Sequence, residues 1–201
     1  MNTEVGEFGI ACEACHGPGE GHVQENQDPW RRYKLHLFGG RDVTTTHPLH
    51  LPPKRSAEVC GQCHGVLMTV NRPEEMWEWN RSGHRYRPGD ELATMRQHFG
   101  NDVDHPAVND FLRKNPGYMS TLFWSDGMIR VTGREYNGLI ESPCFQHDDA
   151  KRTMTCLSCH RMHQAADDPR PIRTWADEQL ERGMETNDAC LQCHSAVGDT
   201  L

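Results

Sequence analysis

The chain has 201 residues, within the size of one domain, and only 35% of them are hydrophobic. A mean hydropathy of -0.80 is thin for a conventional core, and the formal net charge is -8. That balance excludes a nucleic-acid partner, because phosphate binding needs clustered Lys and Arg, and no apolar run approaches membrane-spanning length.

The predicted elements are short. Ser56 N-caps a helical stretch to Val59. Pro73 to Trp79 starts another, with Pro in the first turn and acids near the positive end. Asp90 to Phe99 and Ala107 to Lys114 read as two or three turns each. Met119 to Trp124 and Met128 to Thr132 flank Ser125-Asp126-Gly127, which places one small β-hairpin at about 119–132. Thr174 to Arg182 reads as a helix stopped by Gly183, and Asn187-Asp188 caps a last turn. Eighteen Gly and twelve Pro bend the remainder tightly. The expected fold class is mainly α with much irregular loop.

Four stretches repeat Cys-x-x-Cys-His: Cys12 to His16, Cys60 to His64, Cys156 to His160 and Cys190 to His194. This spacing is the attachment signature of a c-type haem. Two thiols form thioethers to the vinyl groups, and the adjacent imidazole is held under the iron. Cys12, Cys15, Cys60, Cys63, Cys156, Cys159, Cys190 and Cys193 are thus attachment residues. His16, His64, His160 and His194 are proximal ligands. A zinc ribbon does not require His after every second Cys. A thioredoxin-like pair normally occurs once, in a βαβ setting, and a disulfide framework leaves the histidines unexplained.

Four molecules of haem c would supply the interior that the composition lacks, as bound metal does in small metal domains. The expectation is a multihaem cytochrome c wrapped around four haems, in one domain spanning 1–201. The motifs are separated by 43, 91 and 29 residues, so they form pairs near 12–64 and 156–194 around a spacer at 65–155. No fixed repeat period is present. Covalent haem attachment takes place outside the cytoplasm, yet no signal peptide precedes Cys12. A periplasmic or extracellular location follows, with the chain a fragment of a longer exported protein.

Nine histidines remain after the proximal four, more than the four that bis-His coordination needs. His22 follows the turn Gly17-Pro18-Gly19, which swings it from its own motif toward a neighbour. His163 lies three residues past His160, so a helical turn projects both to one side. His147 and His84 are further distal candidates, with His36, His47, His50, His98 and His105 in reserve. Met68, Met154, Met162 and Met184 lie near motifs but suit core filling better. Arg31, Arg32, Arg85 and Arg87 suit either propionates or solvent, and the five Trp suit haem faces or gaps between them. Cys144, the odd thiol between Pro143 and Phe145, reads as buried and inert. No nucleophile–base set, phosphate loop or dinucleotide fingerprint appears.

The motif contexts carry a family resemblance. The residues are Gly9 to His22, Val59 to Gly65, Arg85 to Asp90, Ser142 to Phe145, Thr155 to His163 and Ala189 to His194. They resemble multihaem c-type cytochromes of the tetratricopeptide-repeat-associated type, similar to the tetrahaem electron acceptors of hydroxylamine oxidoreductase. The resemblance implies a ligand at His22, and further haem segments upstream. The leading expectation is electron transfer without substrate chemistry, with mostly bis-His iron and redox proteins as donor and acceptor. The alternatives are a nitrite- or hydroxylamine-type reductase or oxidase with one open haem, and a subunit of a haem filament or larger complex. Relatives of the reductase kind often end one motif in Lys, whereas all four here end in His.

Overall fold

In a computed structural model of the chain, the described residues are 10–69, 77, 81–83, 85–100, 104 and 106–195. They are mainly helical, and no helix among them is long and apolar enough to cross a membrane. The expected helix at Pro73 to Trp79, and the candidates His84 and His105, lie outside the described residues apart from Trp77. Within the 1–201 span the chain divides into two compact units, Met1–Ile140 and Glu141–Leu201. The first holds the N-terminal pair of motifs and the second the C-terminal pair.

Unit 1 begins with α1 (Cys12–His16), α2 (Glu20–Glu25) and α3 (Pro29–Phe38). The carboxylate of Asp28 accepts the Trp30 N–H at 2.9 Å, Pro29 fills the first turn, and Gly39 ends α3 with φ 64°. Helix α4 (Pro53–His64) starts at Pro53 rather than at Ser56, which is buried inside it. Proline in the first turn loses no hydrogen bond there and sets the start earlier.

Strands β1 (Leu67–Thr69) and β2 (Arg96–His98) pair antiparallel, with Leu67 opposite His98 and Thr69 opposite Arg96. This corrects the helix expected at Asp90 to Phe99. Leu92–Thr94 makes a 3-10 turn, then the chain extends to pair with β1 and Phe99 N–H donates to Val66 O at 3.0 Å.

Helices α5 (Pro106–Lys114) and α6 (Tyr118–Leu122) cover a core of Phe99, Val108, Leu122, Phe123 and Ile129. Val108, Phe111 and Leu112 recur at helical spacing on α5. Phe99 meets Tyr118 edge-on, with centroids 5.7 Å apart. Helix α7 (Glu135–Glu141) closes the unit.

The hairpin expected at 119–132 shrinks to one bridge, Phe123 to Ile129, around a turn where Gly127 has φ 88°. Its first arm is α6 instead. Tyr118, Met119 and Leu122 pack on the core, and the Thr121 hydroxyl donates to Tyr118 O, so β-propensity yields to packing.

Unit 2 contains a 3-10 turn at Cys156–Ser158, α8 (Ile172–Glu178) and α9 (Asp188–Leu191). Helix α8 starts and stops before the expected limits, ending where Gln179 turns left-handed at φ 51°. Leu180 is drawn into a bridge with His160, which ends the helix ahead of Gly183. Among the described residues of unit 2, Trp175 is the one buried hydrophobic. Cys144 is exposed, not buried, and its carbonyl accepts Met154 N–H at 2.9 Å.

Candidate functional site

Each motif makes one helical turn from its first Cys to its His. Motifs one and two lie in α1 and at the end of α4. In motifs three and four, His160 N–H donates to Cys156 O and His194 N–H to Cys190 O, both at 2.9 Å. A turn of this kind puts residues three apart on one face, so both thiols of a motif point one way. None of the nine cysteines is in a disulfide.

The motifs of each unit are held together. The Gln62 side-chain amide donates to Ala14 O at 2.8 Å, which ties motif two to motif one, and to Val59 O at 2.8 Å. In unit 2 the Gln192 amide donates to Ser158 O at 3.3 Å and to Ala189 O at 2.9 Å. Burial pushes the Cys15 thiol up, and nearby Cys63 and Cys12 add to the shift. Burial likewise raises Cys159, reinforced by Cys190, Cys193 and Cys156 against a hydrogen bond from Gln192. Gly61 in motif two has a steric role, since a Cβ there would lie 2.6 Å from the Tyr136 ring. Arg96 on β2 donates to Gln62 O at 3.2 Å, so the sheet buttresses the same motif.

Three of the adjacent histidines are oriented through Nδ1. His16 Nδ1 donates to Thr46 O at 2.7 Å, while Thr46 N–H donates back to His16 O at 2.9 Å. His160 Nδ1 donates to Glu178 O at 3.0 Å, beside a bridge in which Arg161 N–H reaches Gln179 O and Glu181 N–H reaches Cys159 O. His64 Nδ1 donates to the Glu135 carboxylate at 3.1 Å. Carbonyls and carboxylates only accept, so Nδ1 carries the proton and Nε2 the lone pair. Burial works to raise Glu135, but bonds from its own N–H, from His64 and from Gly133 N–H outweigh it and hold the group below the carboxylate range. His194 is exposed on its turn.

The distal candidates differ. His22 Nδ1 lies 3.1 Å from Asp42 Oδ2. The Asn26 amide spends its two protons on His22 O and on Asp42 Oδ2, so the ring donates to Asp42 and Nε2 keeps its lone pair. A hydrogen bond from the Thr44 hydroxyl, then Thr44 N–H, Asn26 and Arg31, holds Asp42 far below the carboxylate range against partial burial. Arg31 bonds Asp42 at 3.0 Å and pairs with Glu25 at 3.5 Å, which orders this group. Arg32 donates to Asn26 O, and Arg87 to Tyr86 O.

His147 takes the opposite tautomer: Asp149 N–H donates to its Nδ1 at 3.0 Å, so the neutral ring carries its proton on Nε2. His163 is exposed in an irregular loop after the His160 bridge, not on the expected helical turn, because residue 160 is drawn into pairing with Leu180. His98 Nε2 accepts from the Asn137 amide at 2.8 Å and serves the fold. His47 lies edge-on to His16 at 5.9 Å and stacks on His50 at 4.4 Å, so two reserve histidines gather at motif one. His36 is exposed on α3.

The sequence reading missed Gln62, Gln192, Glu135, Asp42, Thr46 and Glu178. A readable signal existed for the glutamines. The residue before the second Cys is Ala14 or Ser158 in the first motif of each pair and Gln62 or Gln192 in the second. The carbonyls of Thr46 and Glu178 leave no such trace, since any residue supplies one.

Among the described residues, no three His, Cys, Asp or Glu side chains gather as a metal cage. No protein-family model, curated protein or solved structure matches the chain.

Proposed function

We propose that the protein is an exported multihaem c-type cytochrome, of the family it resembles, that passes electrons through four covalently bound haems between donor and acceptor proteins. The observation that carries this reading is the common state of His16, His64 and His160. Each stands beside a thiol pair with Nδ1 donating to a fixed oxygen, which leaves the lone pair on Nε2, the tautomer an iron ligand needs. The buried Trp175 Nε1, which has no partner in the described structure, suits an acceptor such as a propionate.

Haem iron, when bound, supplies reversible one-electron chemistry. The chain's part is to hold, orient and tune. Cys12, Cys15, Cys60 and Cys63 anchor two groups in unit 1, and Cys156, Cys159, Cys190 and Cys193 anchor two in unit 2. His16, His64, His160 and His194 supply the proximal nitrogens. Glu135 makes His64 a stronger donor than a carbonyl partner would. Asp42 orients His22 as the leading distal nitrogen, His163 and His84 are further proposed ligands, and His147 would have to give up its bond from Asp149 N–H and move its proton to Nδ1 before Nε2 could join them. A net charge of -8 favours a partner with a basic docking face and raises the encounter rate with it. The location is periplasmic or extracellular, where such attachment takes place.

The test is maturation of the chain in an export host competent for c-type haem attachment. A pyridine haemochrome assay and intact mass should return four haems per chain, with a low-spin spectrum unmoved by cyanide. A colourless product overturns the reading. A high-spin, cyanide-sensitive spectrum replaces electron transfer by the open-haem enzyme.

A further inference from the structure

The two units differ in nearly every local feature around their motifs. Motif two ends a helix of twelve residues, whereas motif four sits on one of four. The linkers within the pairs run to 43 and 29 residues. Motif one is α-helical and motif three begins as a 3-10 turn. One arrangement nevertheless recurs at matched positions. In each unit a glutamine immediately before the second Cys of the second motif donates twice. One proton goes to the carbonyl immediately before its own first Cys, Val59 or Ala189. The other faces the carbonyl immediately before the second Cys of the first motif, Ala14 at 2.8 Å or Ser158 at 3.3 Å, and in unit 2 it is shared with the sulfurs of Met184 at 3.5 Å and Cys159 at 3.8 Å. A carbonyl only accepts, so the amide orientation is settled by the bonding.

A second match accompanies the first. The first motif's histidine donates Nδ1 to a main-chain carbonyl from the linker that joins the pair, Thr46 O in unit 1 and Glu178 O in unit 2. The register of three contacts is therefore shared by two units whose packing is not.

We infer that the chain is built from two copies of one clasped motif pair, and that Gln62 and Gln192 are positioning residues that set the spacing and mutual orientation of the two attachment sites in each unit. The inference rests on the haem reading. The clasp runs from side chain to backbone, so it sets motif against motif whatever packs around them. Electron tunnelling falls off exponentially with distance, and a bond fixing the separation of two anchored groups fixes the rate between them.

Two haems held at a fixed angle couple excitonically and give a two-signed Soret circular dichroism band. The experiment compares matured wild type with Gln62→Leu, Gln192→Leu and the double variant. Each single variant should keep four haems and lose roughly half of the couplet, and the double variant should lose most of it, as separate sites add. Gln62→Lys, whose ammonium donates to the same carbonyls, should restore the signal. If Gln62→Leu does not mature, Gln62→Met, of similar length and without a donor, is read in its place. Four-haem variants with an unchanged couplet overturn the inference and leave the haem reading intact. So does failure of Gln62→Lys to restore the signal. A wild-type chain that matures without haem overturns the haem reading itself.

Discussion

Unit 1 and unit 2 carry the same clasped pair of motifs, yet they are held up in different ways. Unit 1 has an apolar core of its own. Phe99, Val108, Leu122, Phe123 and Ile129 are buried together, with Phe111 and Tyr118 packed against them. Unit 2 closes around Trp175, a bridge at His160 and an Arg170 guanidinium that bonds Asp168 at 2.6 Å and Leu180 O at 2.8 Å. Apolar burial is the dominant favourable term in folding, and unit 2 has little of it to offset the entropy of ordering its chain. The lesson is that one arrangement of paired motifs is built into the fold in two ways: in unit 1 beside an apolar core, in unit 2 with little apolar burial, where the proposed haems would have to take the place of a core.

The largest expected effect comes from withholding the haem. In a chain produced without maturation, amide exchange measured by mass spectrometry should show protection in peptides covering 99–129 and none in 141–195. Equal protection in the two regions would break the comparison. Phe99→Ala should then lower the protection of unit 1. Loss of a buried Phe costs about 3–5 kcal/mol, a large fraction of the roughly 5–15 kcal/mol that holds a domain. The same substitution in the matured protein should leave the unit 2 peptides unchanged.

How much of this was legible in the sequence depends on the scale of the interaction. The eight motif cysteines and four adjacent histidines, to which the proposed haem attachment is assigned, are read from spacing alone, because thioether chemistry would impose it. The grouping of motifs into an N-terminal and a C-terminal pair also follows from spacing, and each pair falls in its own compact unit. Helix α5 was legible because Val108, Phe111 and Leu112 repeat at helical period. The strands were not. Residues 67–69 and 96–98 pair across a gap in sequence, and nothing local in Arg96-Gln97-His98 separates strand from helix. The arm at 119–122 reads as strand by composition and becomes helix because the core needs Leu122 and Met119 on one side. The imidazole partners were out of reach, since a carbonyl at Thr46 or Glu178 is chosen by tertiary position and not by residue type.

A mid-sized effect sharpens the comparison at the imidazoles. His64 in unit 1 donates to a carboxylate, while His160 in unit 2 donates to a carbonyl. A charged acceptor leaves more electron density on the ligating nitrogen and favours ferric iron. Glu135→Gln should therefore raise one of the four reduction potentials and leave the other three in place. A tenfold change in the preference for ferric over ferrous iron corresponds, for a one-electron couple, to about 60 mV. Potentiometric titration followed by optical or paramagnetic resonance spectroscopy reads the shift. If all four potentials stay put, the contact carries no tuning.

The smallest effect is acid sensitivity, and it separates the units through their arginine–carboxylate pairs. Hydrogen bonds from Arg170, side chain first and then backbone, outweigh partial burial and lower Asp168 to about 2. Asp42, held chiefly by Thr44, lies further down. Both groups have a folded value below the ordinary value of about 3.9, so each adds stability that is fully present above that pH. The contribution is lost as pH falls through the folded value, which unit 2 reaches first. Between about pH 4 and 2, denaturant unfolding monitored on unit 2 should weaken in wild type. Asp168→Asn should be weaker already at pH 7 and lack that component in the acid window. Protonation of the histidines acts on both proteins alike and cancels in the difference. Parallel curves for wild type and variant would show that unit 2 draws no stability from its Asp168–Arg170 pair, leaving the bridge at His160, Trp175 and the proposed haems to hold it.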